Sequence, residues 1–195
     1  MNEEIPDIGS SAAPQVRDSS RRPLLATISY WLRDLLLSVV IAIVVILFIY
    51  QPVKVEGTSM MPELQDQERI FINKFVYRFG IGDIERGDTV VFWYPRDTTK
   101  SYIKRVIGMP GDTVEIRDGA VYVNGKALTE DYVPAEYRDH STMDARKVPP
   151  DDYFVLGDHR SSSNDSRAWG WVPRQFIYGK AVFVYWPLDK MGLLH

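Results

Sequence analysis

The feature that most constrains this chain is an uncharged apolar run, LLLSVVIAIVVILFIY, at residues 35–50. As a helix rising about 1.5 Å per residue it is ~24 Å long, slightly less than a hydrocarbon core of ~30 Å. Extending it upstream through Trp31 and Leu32 gives enough length to cross a bilayer. We therefore predict one transmembrane anchor helix over residues 28–50.

Two other interpretations of the run are less consistent with its sequence. The run starts late and ends in FIYQPVKVEG, which contains no small-residue cleavage site of the kind that ends a secretory signal peptide. The second interpretation is a buried core helix, but the sixteen uncharged residues are apolar all round, with no polar face. Arg33 can extend its charge towards the interface, whereas Asp34 is unfavourable in lipid.

Basic residues near the ends of the run predict its orientation. Lys54 stands alone after it, and the arginines before it are Arg17, Arg21, Arg22 and Arg33. Because cytoplasmic flanks carry the excess of basic residues, we expect a single-pass cell (inner) membrane protein with a cytoplasmic N-terminus. Residues 1–27 are predicted to form a disordered cytoplasmic tail, and residues 51–195 an extracytoplasmic, β-rich catalytic domain.

The remainder of the chain has the pattern of short strands. Asp118-Gly119 and Asn124-Gly125 are hairpin turn signals between β-forming residues. Further strand-like stretches are VKV, DTVVFWY, SYIKRVIG, DYFVLGD and KAVFVYWP. The predicted fold is mostly β, a barrel-like or folded antiparallel sheet preceded by the transmembrane helix.

Composition excludes several kinds of chemistry. The chain of 195 residues has no cysteine, which excludes disulfides and thiol catalysis. Its three histidines lack metal-ligand spacing, so no metal site and no cofactor are predicted. The net charge of -3 gives no sign of a nucleic-acid surface.

Ser59, in GTSMMPEL, is a candidate nucleophile as well as a possible ordinary loop serine. A serine hydroxyl needs a base to accept its proton. A Ser-His-Asp arrangement can be drawn with His159 and either Asp158 or Asp165, although nothing in the sequence singles out this imidazole. A Ser-Lys pair is the other known solution.

Lys104, in SYIKRVIG, is the candidate lysine. On a strand it shares a face with Tyr102 and Val106, and the opposite face is also largely apolar. Burial there would lower the lysine pKa and supply a neutral amine. The pattern is equally compatible with Lys104 and Arg105 forming a solvent-exposed pair at a strand edge.

The sequence resembles the type I signal peptidases, membrane-anchored Ser/Lys proteases that remove signal peptides from exported proteins. The resemblance rests on ordered blocks that span the chain from the anchor to near its C-terminus. These blocks are GTSMMPEL, RGDTVVFWYP, YIKRVIGMPGD and GDHRSSSNDSRAWGWVP, with the hairpin GAVYVNGKAL before the last of them. Several blocks in order are far more specific than a lone serine motif.

The resemblance implies a role for individual residues. Ser59 matches the nucleophile, Lys104 the general base, and Ser163 the serine whose hydroxyl orients the lysine amine. Four further polar residues match positions that support the site: Asp158, Arg160, Asp165 and Arg167. An ion-pair network that only holds a loop in place would explain these residues equally well. The implied partners are exported preproteins and membrane lipid, with no nucleic acid and no cofactor.

Two positions depart from the common family pattern. Gly57 stands where many members carry a serine that helps to hold the oxyanion, although other members also have glycine there. His159 stands where asparagine is common. The family's preference for small residues before the cut implies shallow apolar pockets, for which Val53, Val55 and Met60 are candidates. Met60 and Met61 are equally compatible with ordinary core packing, and for Met61 the core is the stronger expectation.

Other expectations concern aromatic residues and rival functions. Several aromatic residues are candidates for contact with the lipid interface, although core packing is the main expectation for each of them. They are Phe71, Phe75, Tyr77, Phe79, Trp169 and Trp171. A related Ser/Lys protease with a dedicated substrate such as a pilin is one alternative. A membrane-tethered β-domain that binds a partner without catalysis is another, and such a domain needs neither Ser59 nor Lys104.

Overall fold

The computed structural model describes residues 24–75 and 83–194. The helix α1 covers Leu24–Ile49, so it begins four residues before the predicted anchor and ends one residue before the predicted end. The rest of the predicted tail, and the aromatics Tyr77 and Phe79, lie outside the described residues. The chain divides into two compact units with the boundary between Val44 and Val45.

α1 has the properties of a membrane span. Ile28–Ile46 is long and apolar enough to cross a bilayer, and its side chains are exposed, as in Trp31 and Leu36. A helix buried in a soluble core would not expose this surface. The Arg33 guanidinium donates to the neighbouring Asp34 carboxylate at 3.0 Å, which pairs the one acidic side chain of this segment.

The second unit is almost entirely antiparallel β-structure. Its larger sheet has the order β1-β2-β11-β3-β4-β9-β10, with β12 paired to β11. These strands are β1 Tyr50–Lys54, β2 Arg69–Asn73, β3 Thr89–Tyr94, β4 Asp97–Gly108, β9 Asp152–Leu156, β10 Val172–Pro173, β11 Ile177–Trp186 and β12 Gly192–Leu193. In the described residues the order does not return from β10 to β1, so the sheet is folded rather than closed into a barrel.

A smaller sheet has the order β7-β6-β5-β8. Its strands are β5 Thr113–Arg117, β6 Ala120–Val123, β7 Lys126–Ala127 and β8 Met143–Lys147. Both predicted hairpin turns are confirmed, because Asp118-Gly119 and Asn124-Gly125 have positive φ angles and join paired strands. The sequence pattern did not predict β2 and β8, which are short and carry charged or polar residues among the apolar ones.

Three apolar clusters form the core, and one of them positions the candidate nucleophile. In that cluster Met60 and Leu64, from the loop after β1, pack with Ile70 and Ile72 of β2. Burial of these loop side chains holds the segment before β2 in place. Of the two roles expected for Met60, core packing is the one observed, since Met60 is only 1% exposed. Met61, for which the core is the stronger expectation, is half-buried.

Candidate active site

The loop between β1 and β2 presents Ser59. Its ends are tied together by hydrogen bonds from the Val55 backbone N–H to Glu68 O at 2.8 Å and from Gln67 N–H to Val55 O at 2.9 Å. The Leu64 N–H donates to Met60 O at 2.9 Å, which closes a turn directly after the serine. Met60 and Leu64 are buried in the core. Ser59, the residue before Met60, is only half-buried, so its side chain stays accessible.

Lys104 lies in β4, opposite Val90 of β3. It is only 4% exposed, and β4 is an internal strand between β3 and β9, so the interpretation of a solvent-exposed edge pair is wrong. Arg105 is buried as well, at 3%. Of the two interpretations that the sequence left open for Lys104, the structure supports burial.

The lysine and the serine meet across the two elements. Lys104 Nζ lies 2.6 Å from Ser59 Oγ, and it donates to the backbone oxygen of Ile103 at 2.8 Å. Desolvation by burial lowers the pKa of Lys104 to about 8, although Asp165 and Asp158 oppose this shift by stabilising the ammonium. A lysine with this pKa is neutral in roughly a quarter of molecules at pH 7.5, against about one in a thousand for a solvated one.

Ser163 lies close to the pair without contacting the lysine amine. Its buried Oγ has no hydrogen-bond partner among the described residues. It sits against Gly157, where an added Cβ would lie 2.2 Å from Ser163 Oγ and 2.5 Å from the carbonyl oxygen of Ser59. The hydroxyl is thus held beside the nucleophile loop, and its expected role of orienting Lys104 stays a prediction.

The four polar residues predicted to support the site form a network of ion pairs. The Arg105 guanidinium binds both oxygens of Asp158, at 2.9 and 2.7 Å. Arg167 binds both oxygens of Asp165, at 2.8 Å each, and Arg160 donates to Gly157 O at 3.0 Å. These contacts hold the segment after β9, and none of them involves Lys104 Nζ or Ser59 Oγ.

Several members of this network were not predicted from the sequence. Arg160 binds both oxygens of Glu130 at 2.8 and 2.6 Å, Arg167 also pairs with Asp139, and Arg105 also pairs with Glu63. Tyr132 stacks beneath the Arg105 guanidinium, whose carbon lies 4.3 Å from the ring centroid. These partners come from loops distant in sequence, and charged residues in loops give no sequence signal of burial.

The structure does not support a Ser-His-Asp arrangement. His159 Nδ1 lies 3.2 Å from the backbone oxygen of Thr58, and the His159 backbone N–H donates to Ser59 O at 3.1 Å. Asp158 binds Arg105 and Asp165 binds Arg167, so neither carboxylate orients the imidazole. His159 thus contacts the backbone of the nucleophile loop instead of the serine hydroxyl.

Gly57 has a structural role in the same loop. Its φ of +94° lies in the left-handed region, which a serine adopts only with strain. Its N–H donates to Asp66 Oδ1 at 2.8 Å, so this backbone group is already occupied. The glycine found in place of the common serine therefore fits the local backbone of this chain.

A cleft of about 280 Å³ opens beside the serine and the lysine. Val53 and Val55 line it on one side and Ser101 to Lys104 of β4 on the other, as expected for the two valines. Met60 is buried and does not line the cleft, so of its two expected roles the structure supports core packing. Asn164, which the sequence did not single out, is also a lining residue. No group of three or more metal-ligating side chains occurs in the described ranges.

Comparisons with known proteins identify the family of this chain. Residues 28–186 match the family described as "Signal peptidase, peptidase S26". The chain is 40% identical over 190 residues to a probable signal peptidase I-2 of Synechocystis sp., covering 92% of this chain and 84% of that protein. It is 39% identical to signal peptidase I S of Bacillus subtilis, covering 83% and 90%. A crystal structure of a signal peptidase I from Enterococcus faecalis aligns at 36% identity with a TM-score of 0.44, covering 50% of this chain and 96% of that one.

This chain therefore belongs to the signal peptidase family, peptidase S26. It is a serine endopeptidase of the signal peptidase I type. The alternative of a binding domain without catalysis is wrong.

Proposed function

We propose that this enzyme removes signal peptides from exported preproteins, with Ser59 as nucleophile and Lys104 as general base. The observation that carries the proposal is the 2.6 Å separation of Ser59 Oγ and Lys104 Nζ. This is hydrogen-bond reach for a nucleophile and its base. The lowered pKa of the buried lysine supports the same assignment, because only the neutral amine accepts a proton.

The reaction follows from these positions. Ser59 Oγ attacks the scissile carbonyl carbon as its proton moves to Lys104 Nζ, and the oxyanion forms beside the Ser59 backbone N–H. One such donor typically contributes about 3–4 kcal/mol to the transition state. The lysine then gives its proton to the leaving amine, which breaks the peptide bond. Water attacks the acyl-enzyme while Lys104 accepts its proton, and Ser59 is regenerated.

The cleft supports an extended substrate that ends in small residues. In the described residues β9 pairs with β4 only from Arg105 onward, so the edge of Ser101–Ile103 opposite β3 is open to an added strand. Beside it the wall is apolar and shallow, with Val53, Val55 and Ile70. Small side chains such as alanine, one and three residues before the cut, fit this wall.

The supporting residues have proposed roles that follow from their contacts. Ser163 orients the amine of Lys104 during turnover, since its buried hydroxyl has an unused donor and acceptor next to the nucleophile loop. Asp158, Arg160, Asp165 and Arg167 fix the segment that carries Ser163, and Gly57 fixes the turn before Ser59.

The apolar helix supports a location at the cell membrane. We propose that α1 spans the bilayer once, with the N-terminus in the cytoplasm and the β-domain on the extracytoplasmic side. The lipid contact belongs to this helix, and the arginines before it supply the orientation. Exported preproteins would reach the enzyme on that side.

Substitution of the two catalytic residues tests the proposal. Ser59→Ala removes the nucleophile, Lys104→Met removes the amine, and Lys104→Arg keeps a charge that is not lost at working pH. All three purified proteins are expected to be inactive on a preprotein with an Ala-X-Ala site, with products identified by mass spectrometry. Near-normal activity of Ser59→Ala, or cleavage of a prepilin with none of the general preprotein, contradicts the proposal.

The serine run after β9 provides a matched series for Ser163. Ser163→Ala is expected to lower kcat strongly but to keep more activity than either dyad substitution, because an unoriented amine still reaches the right geometry. Ser161→Ala and Ser162→Ala are the controls, since both side chains are exposed. A silent Ser163→Ala would assign the orientation of Lys104 to its bond with Ile103 O instead.

A further inference from the structure

A second cleft, of about 690 Å³, lies apart from the one that holds Ser59 and Lys104. Ser101 is the one residue that lines both clefts. The volume is within the usual range of roughly 300–1,000 Å³ for sites of small ligands. Nothing in the proposed cleavage reaction uses this cleft.

The cleft lies where the chain leaves the anchor. The Lys74 backbone N–H donates to the carbonyl oxygen of Ile49, the last residue of α1, at 3.1 Å, and Gln51 lines the cleft two residues later. Ile49 is the last helical residue of the uncharged apolar run at residues 35–50, so the run ends within one residue of this contact. The headgroup layer of a bilayer is roughly 5–8 Å thick on each side. Chain connectivity therefore keeps Lys74 close to lipid headgroups in an anchored protein.

Aromatic side chains form one wall. Trp93 and Tyr178 have their ring centroids 4.8 Å apart, and Trp93 is 42% exposed although β3 is an internal strand of the larger sheet. Trp and Tyr are enriched at membrane interfaces because their rings are apolar at one end and polar at the other. A large exposed indole at this position is consistent with contact to lipid.

The charge of the cleft is positive. Lys74 and Arg174 are among its lining residues, and no Asp or Glu lines it within the described residues. The Lys74 ammonium lies 6.0 Å from the Tyr178 ring centroid and forms no ion pair with the described part of the chain. Gln51 and Gln175 add amide groups that can donate hydrogen bonds to phosphate oxygens.

We propose that this cleft binds the phosphate-containing headgroup of an anionic phospholipid. The headgroup phosphate lies between Lys74 and Arg174, and Trp93 contacts the lipid at its glycerol level. The inference rests on the proposed membrane anchoring of the enzyme. A segment of the preprotein is the alternative occupant, since it could pass along Ser101 from the catalytic cleft. The positive charge of the second cleft and its place beside the end of α1 favour lipid instead.

The full chain in a neutral detergent is titrated with short-chain phosphatidylglycerol, and binding is measured by native mass spectrometry. Parallel titrations use short-chain phosphatidylcholine and inorganic phosphate. We expect phosphatidylglycerol to bind more tightly than both. Equal binding of the two lipids would contradict the requirement for negative charge, and inorganic phosphate binding as tightly as phosphatidylglycerol would make this a free-phosphate site.

Two variants place the binding in this cleft. Lys74→Gln is expected to weaken phosphatidylglycerol about fivefold, the contribution of one basic residue near an anionic surface, and Trp93→Leu is expected to weaken both lipids. Lys126→Gln makes the same charge change at an exposed position on β7 and is expected to change nothing. Equal effects of Lys74→Gln and Lys126→Gln would show that binding follows overall charge and would overturn the proposal.

The preprotein is the alternative occupant, and the same preparations test it. If Lys74→Gln leaves lipid binding unchanged but raises KM for the preprotein, the cleft belongs to the substrate path and the proposal is wrong. Peptide cleavage is measured in the same titrated sample, so that failure of the lipid site can be told apart from failure of the proposed function. A preparation that cleaves but shows no preference for phosphatidylglycerol overturns only the lipid site, and one that binds lipid but does not cleave overturns only the proposed function.

Discussion

Lys104, the proposed general base, is expected to give the enzyme its dependence on pH. Since burial lowers its pKa to about 8, the neutral amine accumulates as pH rises through that value, and kcat for a short peptide is expected to rise with an inflection near pH 8. The measurement is kcat between pH 6 and about 10.5 at saturating peptide. A rise that continues towards the pKa of a solvated lysine, with no earlier inflection, would show that Lys104 is hydrated during turnover.

The same group contributes to the pH dependence of stability with a definite sign. Its pKa in the folded protein is lower than in the unfolded chain, so the unfolded chain binds more protons between about pH 8 and 10.5. The contribution of Lys104 to the free energy of unfolding therefore rises with pH across this window. Below it the buried ammonium destabilises the fold, which is compatible with a catalytic function of the lysine.

Gly157 is required by a close approach of two segments. A methyl group there would lie 2.5 Å from the backbone oxygen of Ser59 and 2.2 Å from Ser163 Oγ. Rotation of the hydroxyl would still leave Ser163 Cβ 2.6 Å from the methyl group, and the Ser59 carbonyl moves only with the proposed nucleophile itself. Gly157→Ala is therefore expected to lower kcat at least tenfold, on the order of the losses caused by small misplacements in active sites.

Gly170→Ala is the control for this change: the added methyl would meet no atom within 4 Å, and the φ of +96° at Gly170 adds a backbone strain that Gly157 does not have. Both variants are compared for kcat and for their thermal unfolding. A Gly157→Ala protein with wild-type kcat would mean that the loop of Ser59 can shift without loss of function.

At the scale of elements, ion pairs join the segment between β9 and the short helix α2 (Ser166–Trp169) to loops that are distant in sequence. Arg160 is 4% exposed, and both its bonds to a carboxylate go to Glu130. Removing one partner of a buried pair leaves an uncompensated charge, so Glu130→Gln is expected to lower the free energy of unfolding by about 3–5 kcal/mol. The measurement is denaturant unfolding of the two proteins.

The matched control for this change is an exposed ion pair on β4. Asp97→Asn breaks the contact with Lys100, at 3.1 Å, and is expected to change stability little because both side chains are in water. If Glu130→Gln were equally mild, water would have to reach Arg160. Loss of activity without loss of stability would give Glu130 a more direct role in orienting Ser163.

At the scale of the whole molecule, the second unit contains every residue proposed to act in catalysis. A protein without residues 1–48 keeps Ile49, whose carbonyl oxygen accepts from Lys74. It is expected to be more soluble and to cleave short peptides at a rate within a few-fold of the full chain, because Ser59 and Lys104 lie beyond the anchor. An inactive but folded truncated protein would show that α1 contributes to the site.

The orientation of the whole molecule is tested in cells stripped of any outer barrier. Protease added from outside is expected to digest the β-domain and to spare the N-terminal segment, since the arginines before the helix favour a cytoplasmic N-terminus. Protection of the β-domain would reverse the topology and remove access to exported substrates.

Much of this protein was determined by local sequence. The apolar run and its lack of a polar face predicted the helix, because backbone groups in lipid must be satisfied within the segment. The two hairpin turns followed from Asp118-Gly119 and Asn124-Gly125, which accept positive φ angles. The residues around Lys104 left burial and exposure equally open, whereas the ordered motifs identified the family.

Only the tertiary structure decided what these residues contact. Ser59 and Lys104 are 45 residues apart, and their 2.6 Å contact depends on the order of strands in the sheet and on Met60 anchoring the loop. Other contacts depend on loops that fold over one another. They include the burial of Arg105, its pairing with Glu63, and the contact of His159 with the backbone next to Ser59 instead of with the serine hydroxyl. Such contacts carry no local signal, because the stereochemistry of a short stretch does not specify which distant segment will cover it.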